Sequence, residues 1–100
     1  MSESYIYHII EESLWKQIKD QSHYRPESIE NEGFIHFCER DQVETVLEFE
    51  EKPQNKLVAL CVKSSEVNED LQYENEFPHL YRPLKIVEVE KVVELDKLTE

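Results

Sequence analysis

Hydrophobic and polar positions follow a strand-like pattern at the start of the chain. Residues 5–10 are rich in β-branched and aromatic side chains, which predicts a β-strand. Alternation divides this strand into two faces, with Ile6, His8 and Ile10 on one and Tyr5, Tyr7 and Ile9 on the other. Because both faces are largely apolar, the pattern indicates a central strand of a sheet that is covered on both sides.

Two later segments follow the period of a helix instead. Leu14, Trp15 and Ile18 recur at helical spacing after two glutamates, which predicts a first helix that ends near Gln21. Residues 41–50 have the same spacing of apolar positions and predict a second amphipathic helix.

The only glycine of the chain, Gly33, marks a turn between elements. Residues 28–33 are typical of one helical turn that is closed by a glycine in the left-handed conformation. A second strand is expected directly after it, with Phe34 and His36 on one face and Ile35 and Phe37 on the other.

The C-terminal half of the chain is predicted to be mostly β. A turn at 52–55 precedes residues 57–63, whose continuous apolar run indicates a fully buried strand. Residues 64–71 are polar and predict a loop with at most a short helical turn. A brief strand is expected at 72–74.

Two prolines interrupt the pattern near the end of the chain. Pro78 and Pro83 bracket a segment that is predicted to be rigid and irregular. The last strand is expected at 86–95, with one face in water, because valine and leucine alternate there with glutamate. Together the elements predict the α+β class: a single domain over residues 1–100, with a curved or split mixed sheet and two main helices packed on it.

The charge of the chain restricts its partners. Eleven Lys and Arg residues against 23 Asp and Glu residues give a formal net charge of −12 at pH 7. This charge opposes binding to nucleic acid, since phosphate backbones are bound through Lys and Arg. No apolar run approaches the roughly 20 residues of a membrane span, and the N-terminus has no secretory pattern, so we expect a cytoplasmic protein without a membrane partner. The pattern specifies no oligomeric state.

Three of the four histidines, His8, His36 and His79, lie among apolar or aromatic residues. Imidazole titrates near neutral pH and can donate, accept or ligate, so these histidines are candidates for one site, with Glu74 as a carboxylate partner. Each could equally be a structural imidazole bonded to the backbone. A metal site formed by the three histidines with Glu74 as a fourth ligand is a less favoured alternative, because no paired spacing such as HxH or HExxH accompanies them.

Two arginines and one cysteine are further candidates. Arg25 and Arg82 each precede a proline, whose extended backbone suits a bidentate grip on a phosphate or carboxylate of a ligand. The alternative is a salt bridge to one of the many glutamates. Cys38 lies two residues from His36 and could be an activated thiol, although a small packing residue at a strand end is favoured.

The sequence resembles a small bacterial family, the domain of unknown function 952 family. The matching pieces are Tyr7-His8-Ile9, Trp15, Gly33-Phe34-Ile35-His36-Phe37-Cys38, Glu74 and Phe77-Pro78-His79-Leu80-Tyr81-Arg82-Pro83-Leu84. Their order of elements is in turn similar to that of the ADP-ribosyltransferase superfamily, which implies a fold of that type and NAD as a substrate.

The resemblance to ADP-ribosyltransferases implies roles for particular residues. By this similarity, His8 would position a ribose of NAD and Glu74 would stabilise the oxocarbenium-like transition state, with His36 completing the catalytic set. A shared pocket is expected, with His79 shaping it, Phe34 or Tyr81 as its apolar wall, and Arg25 or Arg82 at its mouth. The alternative is a non-catalytic module that binds a small anionic or nucleotide-like ligand and whose histidine cluster is structural.

Overall fold

The computed structural model describes residues 4–49 and 56–95, and within these ranges the chain forms eight strands and four α-helices. The strands are β1 Tyr5–Glu11, β2 His23–Tyr24, β3 Ile35–His36, β4 Leu57–Lys63, β5 Leu71–Glu74, β6 Phe77–Leu80, β7 Leu84–Lys85 and β8 Val89–Glu94. The helices are α1 Glu12–Ile18, α2 Glu27–Asn31, α3 Val43–Phe49 and α4 Ser64–Val67, with short 3₁₀ turns at Arg40–Gln42, Asn68–Asp70 and Ile86–Glu88.

The strands form three small antiparallel sheets. Sheet 1 has the order β1-β4-β8, sheet 2 pairs β2 with β7, and sheet 3 has the order β3-β6-β5. The α+β class and the split sheet are therefore confirmed. The predicted mixed sheet is wrong, because every strand pair among the described residues is antiparallel.

Sheet 1 separates two hydrophobic cores. The first core contains Ile6, Ile10, Val58, Leu60 and Val62, together with Ile18 of α1. The second core contains Tyr7, Cys38, Val43, Ala59 and Cys61, with Tyr5 and Ile9 packed against it. This division confirms the predicted faces of β1 and the predicted buried strand β4.

The predicted central position of β1 is wrong. β4 is the middle strand of sheet 1, and β1 lies at its edge, where Tyr7 makes a single bridge to Cys38. Apolar side chains on both faces of β1 indicate that both faces are covered, and α1 and α3 provide side chains to the two opposite cores. The apolar pattern does not indicate how many strands pair with β1.

The last strand departs from its predicted alternation. β8 carries a β-bulge where Cys61 pairs with Lys91 but Val62 pairs with Val89, so Glu90 is an extra residue. In a regular strand Val89 and Val93 would point to the same face. The extra residue shifts the alternation by one position, so Val89 packs on the first core and Val93 on the second. The prediction of one wet face is wrong for this reason. Residues 86–88 form a 3₁₀ turn instead of strand, and Val87 there is exposed.

The segment between the prolines is also more regular than predicted. Phe77–Leu80 is β6, the middle strand of sheet 3, and Pro78 is buried within it. The carbonyl of Pro78 accepts a hydrogen bond from the amide of Phe37 at 3.0 Å. Because Pro78 has no N–H to return, the regular ladder of β3 ends at His36, which explains the short β3.

The helices follow the predicted order with shorter bounds. α1 ends at Ile18 rather than near Gln21, and the predicted loop after β4 contains α4. The expected second helix begins with a 3₁₀ turn and continues as α3, while Glu50 and the turn at 52–55 lie outside the described residues. No helix in the described part of the chain is long and apolar enough to cross a membrane.

Candidate functional site

The pairing of β3 with β6 brings two of the candidate histidines together. His36 and His79 are direct partners in this antiparallel register, and their ring centroids lie 5.4 Å apart with nearly perpendicular planes. Residues opposite each other on neighbouring strands have adjacent side chains. The two histidines are 43 positions apart in sequence, and only the register joins them.

Two more aromatic rings complete this group, which we call the ring cluster: Phe34, His36, His79 and Tyr81. Phe34 stacks on His79 with a centroid distance of 4.1 Å and an interplanar angle of 11°. It meets His36 edge-on at 4.9 Å and Tyr81 at 5.2 Å. The contact between Phe34 and His36 agrees with their predicted common face.

Gly33 places the ring cluster at the start of β3. Its φ of +89° lies in the left-handed region, and its amide donates to the carbonyls of Ser28 and Ile29, each at 3.0 Å. These bonds close α2 as the sequence predicts. The chain then turns directly into Phe34, so one glycine positions both the end of the helix and the first ring of the cluster.

Each imidazole of the ring cluster is held by its own carboxylate. The Nε2–H of His36 donates to Oε2 of Glu32 at 2.6 Å, and the Nδ1–H of His79 donates to Oε1 of Glu74 at 3.1 Å. The hydroxyl of Tyr81 also donates to Glu74. The bonds from Tyr81 and then His79 hold the pKa of the Glu74 carboxyl below its usual value, so Glu74 is ionised at neutral pH.

The ring cluster reaches solvent. The side chain of His36 is 55% exposed, and Tyr81 is 37% exposed, whereas the side chain of His79 is 12% exposed beneath them. A ligand in solution therefore reaches His36, Tyr81 and the two carboxylates directly, and the smaller exposed part of His79 lies beneath them.

His8 has a different environment. Its Nδ1 lies 2.6 Å from the carbonyl oxygen of His36, and its Nε2 lies 3.0 Å from the hydroxyl of Tyr24. Because a carbonyl only accepts, Nδ1 must carry the proton, and the Tyr24 hydroxyl must donate to Nε2 of a neutral ring. Burial lowers the pKa of His8 to about 4, which agrees with a neutral imidazole.

The predicted shared pocket is formed only in part. The ring of His8 packs against Tyr24 and Phe37, on the side of β3 opposite to His36. Within the described residues, His8 has no hydrogen bond or ring contact with Glu74 or His79. A common cleft for His8 and Glu74 stays a prediction, whereas His36, His79, Glu74, Phe34 and Tyr81 do come together.

The two candidate arginines bind carboxylates of the protein. Arg82 donates to Asp70 at 2.9 Å and to both oxygens of Glu88 at 2.8 and 3.0 Å. Arg25 lies 3.7 Å from Glu30 and is exposed. Both side chains thus form salt bridges within the protein, as the alternative prediction states. Within the described residues, neither has a hydrogen bond or ion pair to the ring cluster.

The geometry gives little support to a metal site or to an activated thiol. No group of three His, Cys, Asp or Glu side chains in the described ranges could hold a metal ion. Cys38 is buried, and burial raises its pKa to about 12, so its thiol stays protonated at neutral pH.

Sequence reasoning missed Tyr24 and Glu32. Tyr24 follows His23, the one histidine outside the candidate set, and its partner His8 is 16 residues away, so no local pattern identifies it. Glu32 was detectable, since it lies four residues before His36 and next to the glycine that reverses the chain.

Comparison with known proteins is consistent with this fold. Residues 9–92 match the family described as Protein of unknown function (DUF952). The crystal structure of protein CC0527 from Caulobacter crescentus has 33% sequence identity and a TM-score of 0.77, covering 91% of this chain and 85% of that chain. The solution NMR structure of CC0527 has 32% identity and a TM-score of 0.74, covering 90% and 83%. No curated protein matches this sequence.

Proposed function

This chain belongs to the DUF952 family, and we propose that it binds a small ligand with a planar cationic ring, such as the nicotinamide of NAD, at the ring cluster. One observation carries the proposal: two segments far apart in sequence bring Phe34, His36, His79 and Tyr81 into contact at a solvent-exposed surface. Aromatic and imidazole rings together offer stacking faces and hydrogen-bonding nitrogens, which suit a heterocycle.

The charges around the ring cluster favour a cation over an anion. Glu32 and Glu74 flank the rings, and Glu74 is held in its ionised form. The arginines that could have received a phosphate are paired with carboxylates of the protein instead. Because aromatic faces and carboxylates both attract positive charge, the nicotinamide end of NAD is a better fit than its pyrophosphate.

His8 has a structural role in this proposal. Both of its ring nitrogens have partners within the protein, and a neutral imidazole that donates to the backbone of β3 holds His36 in position. The ribose-positioning role that the family resemblance implies for His8 would require Tyr24 to release Nε2. We therefore assign ligand contact to His36 and His79.

Calorimetric titration of the full chain with NAD and with ADP-ribose tests the binding proposal. ADP-ribose has the same phosphates but no nicotinamide, so we expect it to bind at least about tenfold more weakly than NAD, the loss of one good charged interaction. His36→Gln and His79→Gln should weaken NAD binding. His23→Gln is the matched control, because His23 is exposed and, within the described residues, its ring hydrogen-bonds to the neighbouring Ser22.

Two results would overturn the binding proposal. Equal affinity for NAD and ADP-ribose would mean that the phosphates, rather than the cationic ring, are recognised. Absence of binding by either compound at millimolar concentration would exclude this ligand class. Thermal melts of the histidine variants would confirm that each is folded, which the exposure of the His36 side chain favours.

A second candidate function is cleavage of NAD, and the ionised state of Glu74 favours it. In such a reaction the bond between nicotinamide and C1′ of the ribose breaks, its electron pair leaves with nicotinamide, and water or another acceptor attacks the cationic ribose. A carboxylate near C1′ stabilises that cation. Glu74→Gln keeps the shape of the side chain and removes its charge.

Release of nicotinamide, measured by chromatography, separates an enzyme from a binding module. If the protein is an NAD glycohydrolase or ADP-ribosyltransferase, Glu74→Gln should reduce the rate at least about 100-fold while NAD still binds. If wild-type protein binds NAD but releases no nicotinamide, with and without protein acceptors, the binding module is the correct function.

A further inference from the structure

A concave site lies next to the sheet that builds the ring cluster. It is a groove of about 500 Å³ lined by Ser4, Tyr5, Tyr7, Glu39, Arg40, Asp41, Ser64 and Tyr73. Tyr73 precedes Glu74 on β5. Since successive side chains on a strand point to opposite faces, Tyr73 of the groove and Glu74 beside the ring cluster lie on opposite faces of sheet 3.

Among the residues that the structure describes, the groove contains one cation and two carboxylates. Arg40 and Asp41 are both exposed, and neither has an ion pair within the described residues. Glu39 completes the charged rim. A simple anion would be repelled by two carboxylates, and a simple cation would leave Arg40 without a partner, so opposite charges on one ligand match this arrangement.

The remaining surface of the groove is aromatic. Tyr5, Tyr7 and Tyr73 supply three rings, and Tyr73 is 52% exposed although its ring is a large apolar surface. Tyrosine combines an apolar face with a polar hydroxyl, and it is common where a ligand has an apolar part beside polar groups. Ser4, directly before β1, and Ser64, at the start of α4, add a carbonyl and a hydroxyl, which are joined by a 3.2 Å hydrogen bond.

We propose that this groove binds a free amino acid with an aromatic or large apolar side chain, with Arg40 on its carboxylate, Asp41 or Glu39 on its ammonium group, and the tyrosine rings on its side chain. Its volume is within the range of roughly 300–1,000 Å³ that is typical of small-molecule sites. This site is independent of the ring cluster and of the proposed function there.

Three related probes test the proposal on the full chain: L-phenylalanine, phenethylamine, which lacks the carboxylate, and 3-phenylpropionate, which lacks the amine. Binding is measured from amide shifts in ¹H–¹⁵N spectra. L-phenylalanine should shift the amides of Tyr5, Arg40 and Tyr73 and leave Phe34 and His79 unchanged. Each probe with a single charge should bind at least about tenfold more weakly, since one charged hydrogen bond is lost.

Variants assign the two charges. Arg40→Gln should remove the advantage of L-phenylalanine over phenethylamine, and Asp41→Asn should reduce its advantage over 3-phenylpropionate. Tyr73→Ala should weaken all three probes. Lys19→Gln, a charge removed from the exposed end of α1, is the matched control and should change none of them.

The results that would contradict the amino-acid proposal differ from those that would contradict the NAD proposal. Equal binding of either single-charge probe would overturn the zwitterion assignment. Shifts confined to the ring cluster, or no shift with L-phenylalanine at millimolar concentration, would overturn the groove as an amino-acid site. NAD binding at the ring cluster is unaffected by these outcomes.

Discussion

Tyr24 donates a hydrogen bond to Nε2 of His8 at 3.0 Å, and the opposite nitrogen of the same ring donates to the carbonyl of His36 at 2.6 Å. The imidazole thus links sheet 2, through Tyr24, to sheet 1 and to the strand that carries His36. Burial lowers the pKa of His8 to about 4, so the ring is neutral at pH 7 and its Nε2 accepts from Tyr24. This link explains why a histidine occupies a face of β1 that is otherwise isoleucine.

Removing the hydroxyl of Tyr24 should destabilise the protein. Tyr24→Phe leaves the Nε2 acceptor of His8 without a donor, and we expect a loss of about 1–3 kcal/mol in the free energy of unfolding. Urea unfolding at neutral pH measures the loss. Tyr73→Phe is the control, because Tyr73 is largely exposed. Equal stability of Tyr24→Phe and wild type would contradict the hydrogen bond.

The protonation of His8 should make stability depend on pH. Burial lowers the pKa of His8 to about 4 in the folded protein, whereas the ordinary value is 6.5. The unfolded chain therefore takes up the proton first as pH falls, and the contribution of neutral His8, complete above pH 6.5, is lost between there and about pH 4. The whole effect amounts to up to about 3 kcal/mol.

His8→Gln isolates this effect, since glutamine does not titrate in this range. The stability of wild type relative to His8→Gln should be greatest near neutral pH and should decrease steadily toward about pH 4. Urea unfolding at several pH values gives the comparison. A difference that stayed constant would mean that folding does not change the pKa of His8, and one that grew as pH fell would mean that folding raises this pKa.

Neither cysteine should react while the protein is folded. Cys38 and Cys61 are buried in the second core, and burial raises their pKa values to about 12 and about 11. Iodoacetamide reacts with the thiolate, so at about pH 8 mass spectrometry should detect no labelling of the native protein within the time that labels both residues in guanidinium. Rapid native labelling of Cys38 would restore the activated-thiol hypothesis.

The turn between β5 and β6 contains backbone strain that a glycine would relieve. Asn75 and Glu76 both have positive φ, 53° and 74°, as a two-residue hairpin turn of type I′ requires. Glutamate tolerates this conformation poorly, so Glu76→Gly should raise stability by about 1–2 kcal/mol. For a domain of this size each kcal/mol corresponds to about 4–8 °C in melting temperature.

A thermal melt tests this prediction with Glu69→Gly as its control. Glu69 lies in a 3₁₀ turn and is not among the residues with positive φ, so glycine there should not stabilise the protein. The bond from Gln42 to the Glu76 carbonyl, at 2.7 Å, uses the backbone and is retained in the variant. A melting temperature that fell in Glu76→Gly would contradict the strain argument.

Much of the fold was predictable because it depends on local pattern. The two faces of β1, the buried strand β4 and the left-handed Gly33 follow from alternation, apolar continuity and the unique backbone freedom of glycine. What failed depends on pairing: the edge position of β1, the bulge at Glu90, and the inclusion of Pro78 in a strand. Strand order and bulges are set by neighbours that a linear pattern does not identify.

The candidate site shows the same division. The aromatic surroundings of His36 and His79 identified them as candidates, and their contact with Phe34, Tyr81 and Glu74 was expected. The bonds of His8 to Tyr24 and to the carbonyl of His36 were not, because both partners are distant in sequence and β1 and β3 belong to different sheets. Arg82 was a candidate ligand contact because the linear pattern does not single out its partners Asp70 and Glu88 from the many other acidic residues.

The central claim is that ligand binds at His36 and His79 while His8 is a structural residue. Histidine-selective ¹H–¹⁵N spectra recorded during a titration with NAD test it most directly, because each ring reports its own nitrogens. We predict that the ring signals of His36 and His79 move with added NAD, while His8 keeps the shifts of a neutral ring protonated at Nδ1. Movement of His8 with His36 and His79 unchanged, or no movement of any ring, would contradict the account.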